Sequence, residues 1–337
     1  MTDFTALEDV FSDIATSTAT KTLPMAGLST SSIVALIFLP VLAIYGVLGN
    51  ALVCVSVVRF PHLRNVGNYY IVALAVADLL ICATVLPFGI YQEVNNGVWD
   101  LPGWLCDGWI GIDVLMSTAS IWLLCVISLD RYFAITHPHS YAPKRTTISA
   151  AIAISIAWVA SLLVSLPVLL FVGGSNAGES KECYINVTPK FSIIGSMTGF
   201  FLPCTVVLVV YWRIFLAARK LSRPRVNPHD GVSAQGSSSN SAAEQNDNSK
   251  ISFKKERKAA VVLAIVIGIF ISCWIPFFTV YLLLGLCPQC EISVTTFKVV
   301  TWLGYCNSVL NPMIYTIFKE EFRKAFKKIL FRSYCNQ

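Results

Sequence analysis

Polar positions are spaced so far apart in this chain that the apolar runs between them reach membrane-crossing length. Such runs fall at about 33–58, 68–92, 104–133, 148–172, 191–217, 258–286 and 295–318, and a span needs about 20 mostly apolar residues. One such run could be a buried core helix, but no soluble core is large enough to hide them all. The runs are continuous, without the roughly ten-residue alternating segments of a membrane barrel. The pattern predicts an all-α membrane protein, a seven-transmembrane-helix bundle. After Phe318 the periodicity changes. In KEEFRKAFKKILF, the side chains of Phe322, Phe326, Ile329 and Leu330 share a face opposite Lys and Arg. This predicts a short amphipathic eighth helix on the membrane surface.

Composition agrees with that picture. Of 337 residues, 55% are hydrophobic and 13% charged, against about 25% charged in ordinary soluble domains. A water-soluble enzyme is excluded on that ground, and disorder of the whole chain needs the opposite balance. The net charge of +6 would suit nucleic acid, but its distribution says otherwise. With residues 1–32 outside, 21 of the 25 Lys and Arg fall on one side of the bundle; the other side holds Lys21, Lys181, Lys190 and Lys298. This positive-inside bias predicts an extracellular N-terminus and a cytosolic C-terminus, with no nucleic-acid role. Asp3, Glu8, Asp9 and Asp13, with no early apolar core, argue against a cleaved signal peptide. The expected organisation is an extracellular segment at 1–32, a seven-helix domain at 33–318, and an amphipathic helix with cytoplasmic tail at 319–337. Within the domain, the loop at about 222–250 carries SAQGSSSNSAAEQNDNS and is expected to be disordered.

Polar groups inside spans are costly, so each is a functional candidate. They are Asn50, Asp78, Asp113, Ser120, Asp130, Arg131, Asn307, Ser308 and Asn311. Short motifs accompany them, one per span: GN at 49–50, LAVAD at 74–78, DRY at 130–132, Trp158, Pro203 with Tyr211, CWIP at 273–276 and NPMIY at 311–315. Over nearly its whole length the chain resembles rhodopsin-like (class A) G-protein-coupled receptors. The stretch WLGYCNSVLNP from Trp302 resembles their biogenic-amine subfamily.

The resemblance implies a division of labour along the bundle. The 18 residues from Asp113 to Arg131 cover about 27 Å at 1.5 Å per residue, so one lies in the outer part of its helix and the other at the cytosolic mouth. Asp130, Arg131 and Tyr132, with Tyr211, Glu256, Pro276, Asn311, Pro312 and Tyr315, are implied to carry activation and coupling to a heterotrimeric G protein. Arg131 would be held at rest by Asp130 and Glu256. Pro276 and Pro312 remove backbone hydrogen bonds and kink their helices. Asp78, Ser120, Asn307 and Asn311 look like the family's sodium site, the alternative being a water-filled network. No other cofactor or metal is expected. Arrestin and receptor kinases are implied as further partners, with membrane lipid around the bundle.

The resemblance also implies a disulfide between Cys106 and Cys183. Cys287 and Cys290, in CPQC, face outside and offer a local bridge, which the oxidising exterior would preserve. Asn186-Val187-Thr188 is an outward glycosylation sequon, and Cys335 is a palmitoylation candidate.

Asp113 lies seven residues, about 10 Å, below Cys106, with no Lys or Arg expected at its depth. A cation should therefore come from outside. The family pattern puts Val114, Ser117, Thr118, Trp274, Phe277, Phe278, Tyr281, Trp302 and Tyr305 around it, and this carboxylate in an aromatic cage suits an ammonium. On the fifth span, the ring-facing stretch Gly195-Ser196-Met197-Thr198-Gly199-Phe200 has a single serine and two glycines where catecholamine receptors present several serines. One donor and extra room fit an indole better than a catechol.

The stretches IGS before Pro203 and DVLMSTASI at 113–121 resemble type 2 serotonin receptors, whose likeness implies Gq coupling. FFTVYL from Phe277 resembles octopamine-like receptors, and Tyr281 stands where an asparagine is often found. Serotonin leads, with dopamine, octopamine, tyramine and histamine as alternatives.

Other classes fit less well. Phosphate-binding glycine loops, HExxH and GxSxG are missing, so an enzyme is not expected. Inverted repeats with broken helices, the mark of many transporters, are not evident. A retinal-binding lysine would have to be Lys298, which is too near the outer end of its span.

Overall fold

A computed structural model describes residues 30–171, 181, 183–185, 188–221, 239–287 and 289–331, with backbone alone for 30–35, 168, 169, 171, 218–221 and 239–260. Asn186 and Cys335 lie outside the described residues, as does the side chain of Glu256.

The long helices follow the apolar runs: α1 (Thr30–Arg59), α2 (Val66–Val94), α3 (Gly103–Thr136) and α4 (Thr147–Phe171) come first. Next is α5, running Pro189–Ser196, Met197–Phe201 and Leu202–Leu221, then α6 (Ser239–Leu286), α7 (Val294–Phe318) and α8 (Glu320–Leu330). Six are long and apolar enough to cross a membrane. The exception among the first seven, α7, has 25 residues. Its polar Asn307, Ser308 and Asn311 are all buried, so it spends them on the interior rather than on lipid.

Apolar side chains such as Ile37, Leu48, Ile156 and Leu208 remain exposed, as lipid-facing positions should. Inside, Val53, Leu74, Ile121, Leu124, Val266, Phe270 and Tyr315 belong to one continuous core. α6 begins at Ser239, so the polar loop expected to be disordered is helical over its last part. Ala242, Ala243, Glu244 and Gln245 are good helix formers, and extending a helix costs less than starting one.

Close approach of α1 depends on two glycines. A Cβ on Gly49 would lie 2.9 Å from Pro312 Cβ, and one on Gly46 would collide with Cys82 Sγ. Small residues let membrane helices meet backbone to backbone. Asn50 then ties α1 to α7, its Nδ2 donating to the carbonyls of Gly46 and Ser308 at 3.0 and 2.9 Å.

Two helices carry a π turn, at Ile81–Val85 in α2 and Met197–Phe201 in α5. Each stands just before a proline, Pro87 or Pro203. Proline cannot donate to the preceding turn, and one extra residue absorbs the break. In α2 the Trp109 indole of α3 donates to the Val85 carbonyl at 3.0 Å.

At the outer end the disulfide Cys106–Cys183 joins α3 to the segment before α5, and Cys287–Cys290 closes a short bridge after α6. At the inner end α8 packs Phe322 and Phe326 inward, with Phe322 beside Tyr315 at 6.1 Å between ring centroids. Leu330 of the same helix is exposed, on the side left to lipid.

Candidate functional site

The outer half of the bundle encloses a cavity of about 670 Å³ lined by residues of α2 through α7, the turn after α2, and Lys181, Cys183, Tyr184 and Ile185. Asp113 on α3 reaches into it. The Tyr305 hydroxyl donates to Asp113 Oδ2 at 2.7 Å, and the Ser117 hydroxyl to Oδ1 at 3.3 Å. Both donors are neutral.

Aromatic rings wall the cavity in mutual contact. Trp274 meets Phe277 edge-on at 5.6 Å and Phe278 at 5.9 Å, and Trp302 meets Tyr305 edge-on at 5.7 Å. Phe200 of α5 stacks on Phe278 at 4.5 Å, and Tyr281 on Phe277 at 5.9 Å. Trp274 keeps its place because Gly304 lacks a side chain: a Cβ there would stand 2.9–3.2 Å from the indole ring.

Val114, Ser117, Thr118, Gly199, Phe200, Trp274, Phe277, Phe278, Tyr281, Trp302 and Tyr305 all line this cavity with Asp113. Ser196 does not. Its α5 neighbour one turn earlier, Ser192, packs against Gly285 of α6, and Ser196 shares that face and is fully buried. Gly195 and Gly199 present their face to the cavity instead.

Lys181 and Lys298 both border the cavity. Lys298 is paired with Glu93 across α7 and α2, and Lys181 with Asp100 at 3.0 Å.

Deeper in the bundle, Asn311 Nδ2 donates to Asp78 Oδ2 at 2.7 Å, and Ser120 donates to the Met116 carbonyl. The buried oxygens Asp78 Oδ1, Asn307 Oδ1 and Asn311 Oδ1 have no hydrogen-bond partner among the described residues. Buried carbonyl and carboxylate oxygens left without donors are the kind of ligands a hard cation takes.

At the inner end Asp130 is the hub. Arg131 Nη2 lies 3.5 Å from its Oδ2. Arg145, which no motif singled out, reaches Oδ1 through Nε at 2.9 Å and Oδ2 through Nη2 at 2.7 Å. The Tyr141 hydroxyl donates to Oδ1 at 3.1 Å. Burial, with the Asp130 carboxylate beside it, holds that hydroxyl well above the usual phenol range, so it remains a donor. Tyr132 and Tyr211 pack nearby against Ile135 and Ile214.

Comparison with known proteins fits this arrangement. The profile of the 7 transmembrane receptor (rhodopsin family) matches residues 49–315. The alpha-1A adrenergic receptor of Mus musculus is 38% identical over 307 residues, 86% of this chain and 66% of that receptor. The D(4) dopamine receptor of Mustela putorius furo is 37% identical over 310 residues, 84% of this chain and 86% of that one. The D(5)-like dopamine receptor of Takifugu rubripes is 38% identical over 323 residues, 91% of this chain and 68% of that one. The chain spans about two thirds of the length of the alpha-1A relatives it matches. It belongs to the rhodopsin family of seven-transmembrane receptors, within the biogenic-amine group.

Proposed function

We propose that the chain is a plasma-membrane receptor for a small aromatic amine, with its N-terminus outside and its inner end coupling to a heterotrimeric G protein. One observation carries the ligand class: Asp113 sits in an aromatic cavity where its hydrogen-bond partners are the neutral hydroxyls of Tyr305 and Ser117. The cavity's lysines Lys181 and Lys298 are matched to other carboxylates. A buried carboxylate lacking a cation costs several kcal/mol, and an ammonium supplies the charge through a charge-assisted hydrogen bond and cation–π contacts.

Serotonin is the leading amine. Gly195 and Gly199 leave room on α5 for a bicyclic ring, and the Thr118 hydroxyl lies 3.9 Å from where a Cβ on Gly199 would stand. That supplies one hydroxyl near the ring, which suits one ring hydroxyl better than a catechol pair. Dopamine is the second reading, favoured by relatives named for dopamine and by the adrenergic receptors beside them. A panel of serotonin, dopamine, octopamine, tyramine and histamine on receptor-expressing cells, read by calcium and cyclic AMP, tests both. Serotonin as the most potent agonist with a calcium response supports the lead and Gq. A catecholamine more potent than serotonin replaces it with the second.

Asp78, Ser120, Asn307 and Asn311 would hold a sodium ion that favours the resting bundle. Arrestin and receptor kinases would share the inner face with the G protein. The sequon at Asn186 and the thiol of Cys335 would be modified outside and inside the cell respectively.

A further inference from the structure

One buried carboxylate at the inner end of α3 serves two arginines. Asp130, whose side chain is 1% exposed, receives the bidentate fork of Arg145 at 2.9 and 2.7 Å. Arg131 Nη2 approaches the same Oδ2 at 3.5 Å. The shorter, two-pronged contact therefore belongs to Arg145. Bidentate guanidinium–carboxylate pairing is stronger and more directional than a single long contact.

Gly67, in the first turn of α2, makes room for both guanidinium groups. A Cβ there would collide with Arg131 Nη2 and lie 3.4 Å from Arg145 Nη2. The two cations and their shared anion thus fill space left by a missing side chain.

We propose that Arg145 is a positioning residue for coupling: by taking the larger share of Asp130, it weakens that carboxylate's hold on Arg131 and readies Arg131 to exchange it for a G-protein contact. The inference rests on the coupling role proposed above for the inner end. Its physical basis is competition for one fixed charge. Without Arg145, the buried charge of Asp130 must be compensated by Arg131, which is drawn closer and held at rest. A simple tether role for Arg145, pinning the Pro138–Tyr141 turn to α3, predicts the opposite, since cutting a tether loosens the inner end.

The test is basal and agonist-stimulated guanine-nucleotide exchange on a purified heterotrimeric G protein, using the full chain in membranes and normalised to surface receptor. Arg145→Gln should lower basal exchange by roughly 2- to 140-fold, the range expected for coupled neighbouring charges. Arg145→Lys keeps the charge but loses the fork, and should fall between wild type and Arg145→Gln. In an Asp130→Asn background, Arg145→Gln should cause no further drop, because the carboxylate it acts through is gone.

Unchanged or raised exchange in Arg145→Gln overturns the proposal, and so does an equal drop in both backgrounds. Should Arg145→Gln fail to reach the membrane, Arg145→Lys carries the decision, and wild-type exchange in it is the overturning result. A wild-type chain with no exchange on any G protein would overturn the coupling reading and this proposal with it. That failure is visible before any variant is compared.

Discussion

The Tyr305 hydroxyl on α7 donates to Asp113 on α3 across 2.7 Å, tying those two helices together inside the cavity. Below Asp113 on α3 lie Asp130 and Arg131; below Tyr305 on α7 lie Asn311, Pro312 and Tyr315. An ammonium bound as proposed would share Asp113 with Tyr305. Under the proposed amine role, occupancy would be felt by both helices at once, without a long chain of intermediaries.

Asp113→Asn keeps the shape of the side chain and deletes its charge. Truncating one partner of a buried charge pair costs about 2–5 kcal/mol, or roughly 30- to 4,000-fold in amine potency. Dose–response curves normalised to surface-labelled receptor measure it. Wild-type potency in the variant would remove the aminergic reading.

Tyr305→Phe removes the 2.7 Å hydrogen bond and nothing else of the ring's packing against Trp302 and Trp274. A hydrogen bond to a charged group contributes about 1.5–3 kcal/mol, and since this one is already made in the empty receptor, amine potency should drop by less than that, under roughly 100-fold. The loss should stay smaller than for Asp113→Asn. Radioligand displacement by the preferred amine distinguishes the two, and a larger loss in Tyr305→Phe would contradict the assignment of Asp113 as counter-ion.

Gly304→Ala should destabilise the bundle. Its Cβ would press on the Trp274 ring at 2.9–3.2 Å, and Trp274 is hemmed in by Phe270, Phe277, Phe278 and Tyr305. Overpacking of this kind costs about 1–3 kcal/mol. Thermal unfolding of the detergent-solubilised receptor should show a lowered midpoint, while an unshifted midpoint would mean that Trp274 can move aside at no cost.

The helices were readable in advance because lipid imposes one rule, long apolar runs, and buried polar groups stand out against them. Asp113, Asp78 and the inner Asp130–Arg131 pair were visible for that reason. What the sequence leaves hidden depends on side-chain rotation and on empty space. Ser196 lies about 100° round the helix from Gly195, and its α5 face is claimed by α6, which spacing alone does not reveal. Arg145 lies in a basic loop whose charge already has a topological explanation, so nothing marked it as the partner of Asp130. Gly67 and Gly304 matter through the side chains they make room for. The π turns had a faint signal in Pro87 and Pro203, since proline inside a span breaks the hydrogen-bond ladder without saying how the break is absorbed.

Asp78→Asn tests the proposed cation site. Asp78 is fully buried, and Asn311 Nδ2 donates to its Oδ2 at 2.7 Å, a contact that an asparagine oxygen can still accept. The variant therefore keeps the hydrogen bond and removes the one negative charge in the oxygen cluster formed with Ser120, Asn307 and Asn311. If sodium binds there and favours the resting bundle, linkage requires that it oppose agonist binding by the same factor, and such couplings run at about 5- to 150-fold. Replacing sodium by N-methylglucamine should then raise agonist affinity in the wild type and leave the variant unchanged. A water-filled network predicts equal affinity in the two buffers for both proteins. Saturation binding at constant ionic strength separates these outcomes, and a wild-type receptor indifferent to sodium would leave Asp78 as a hydrogen-bonding residue alone.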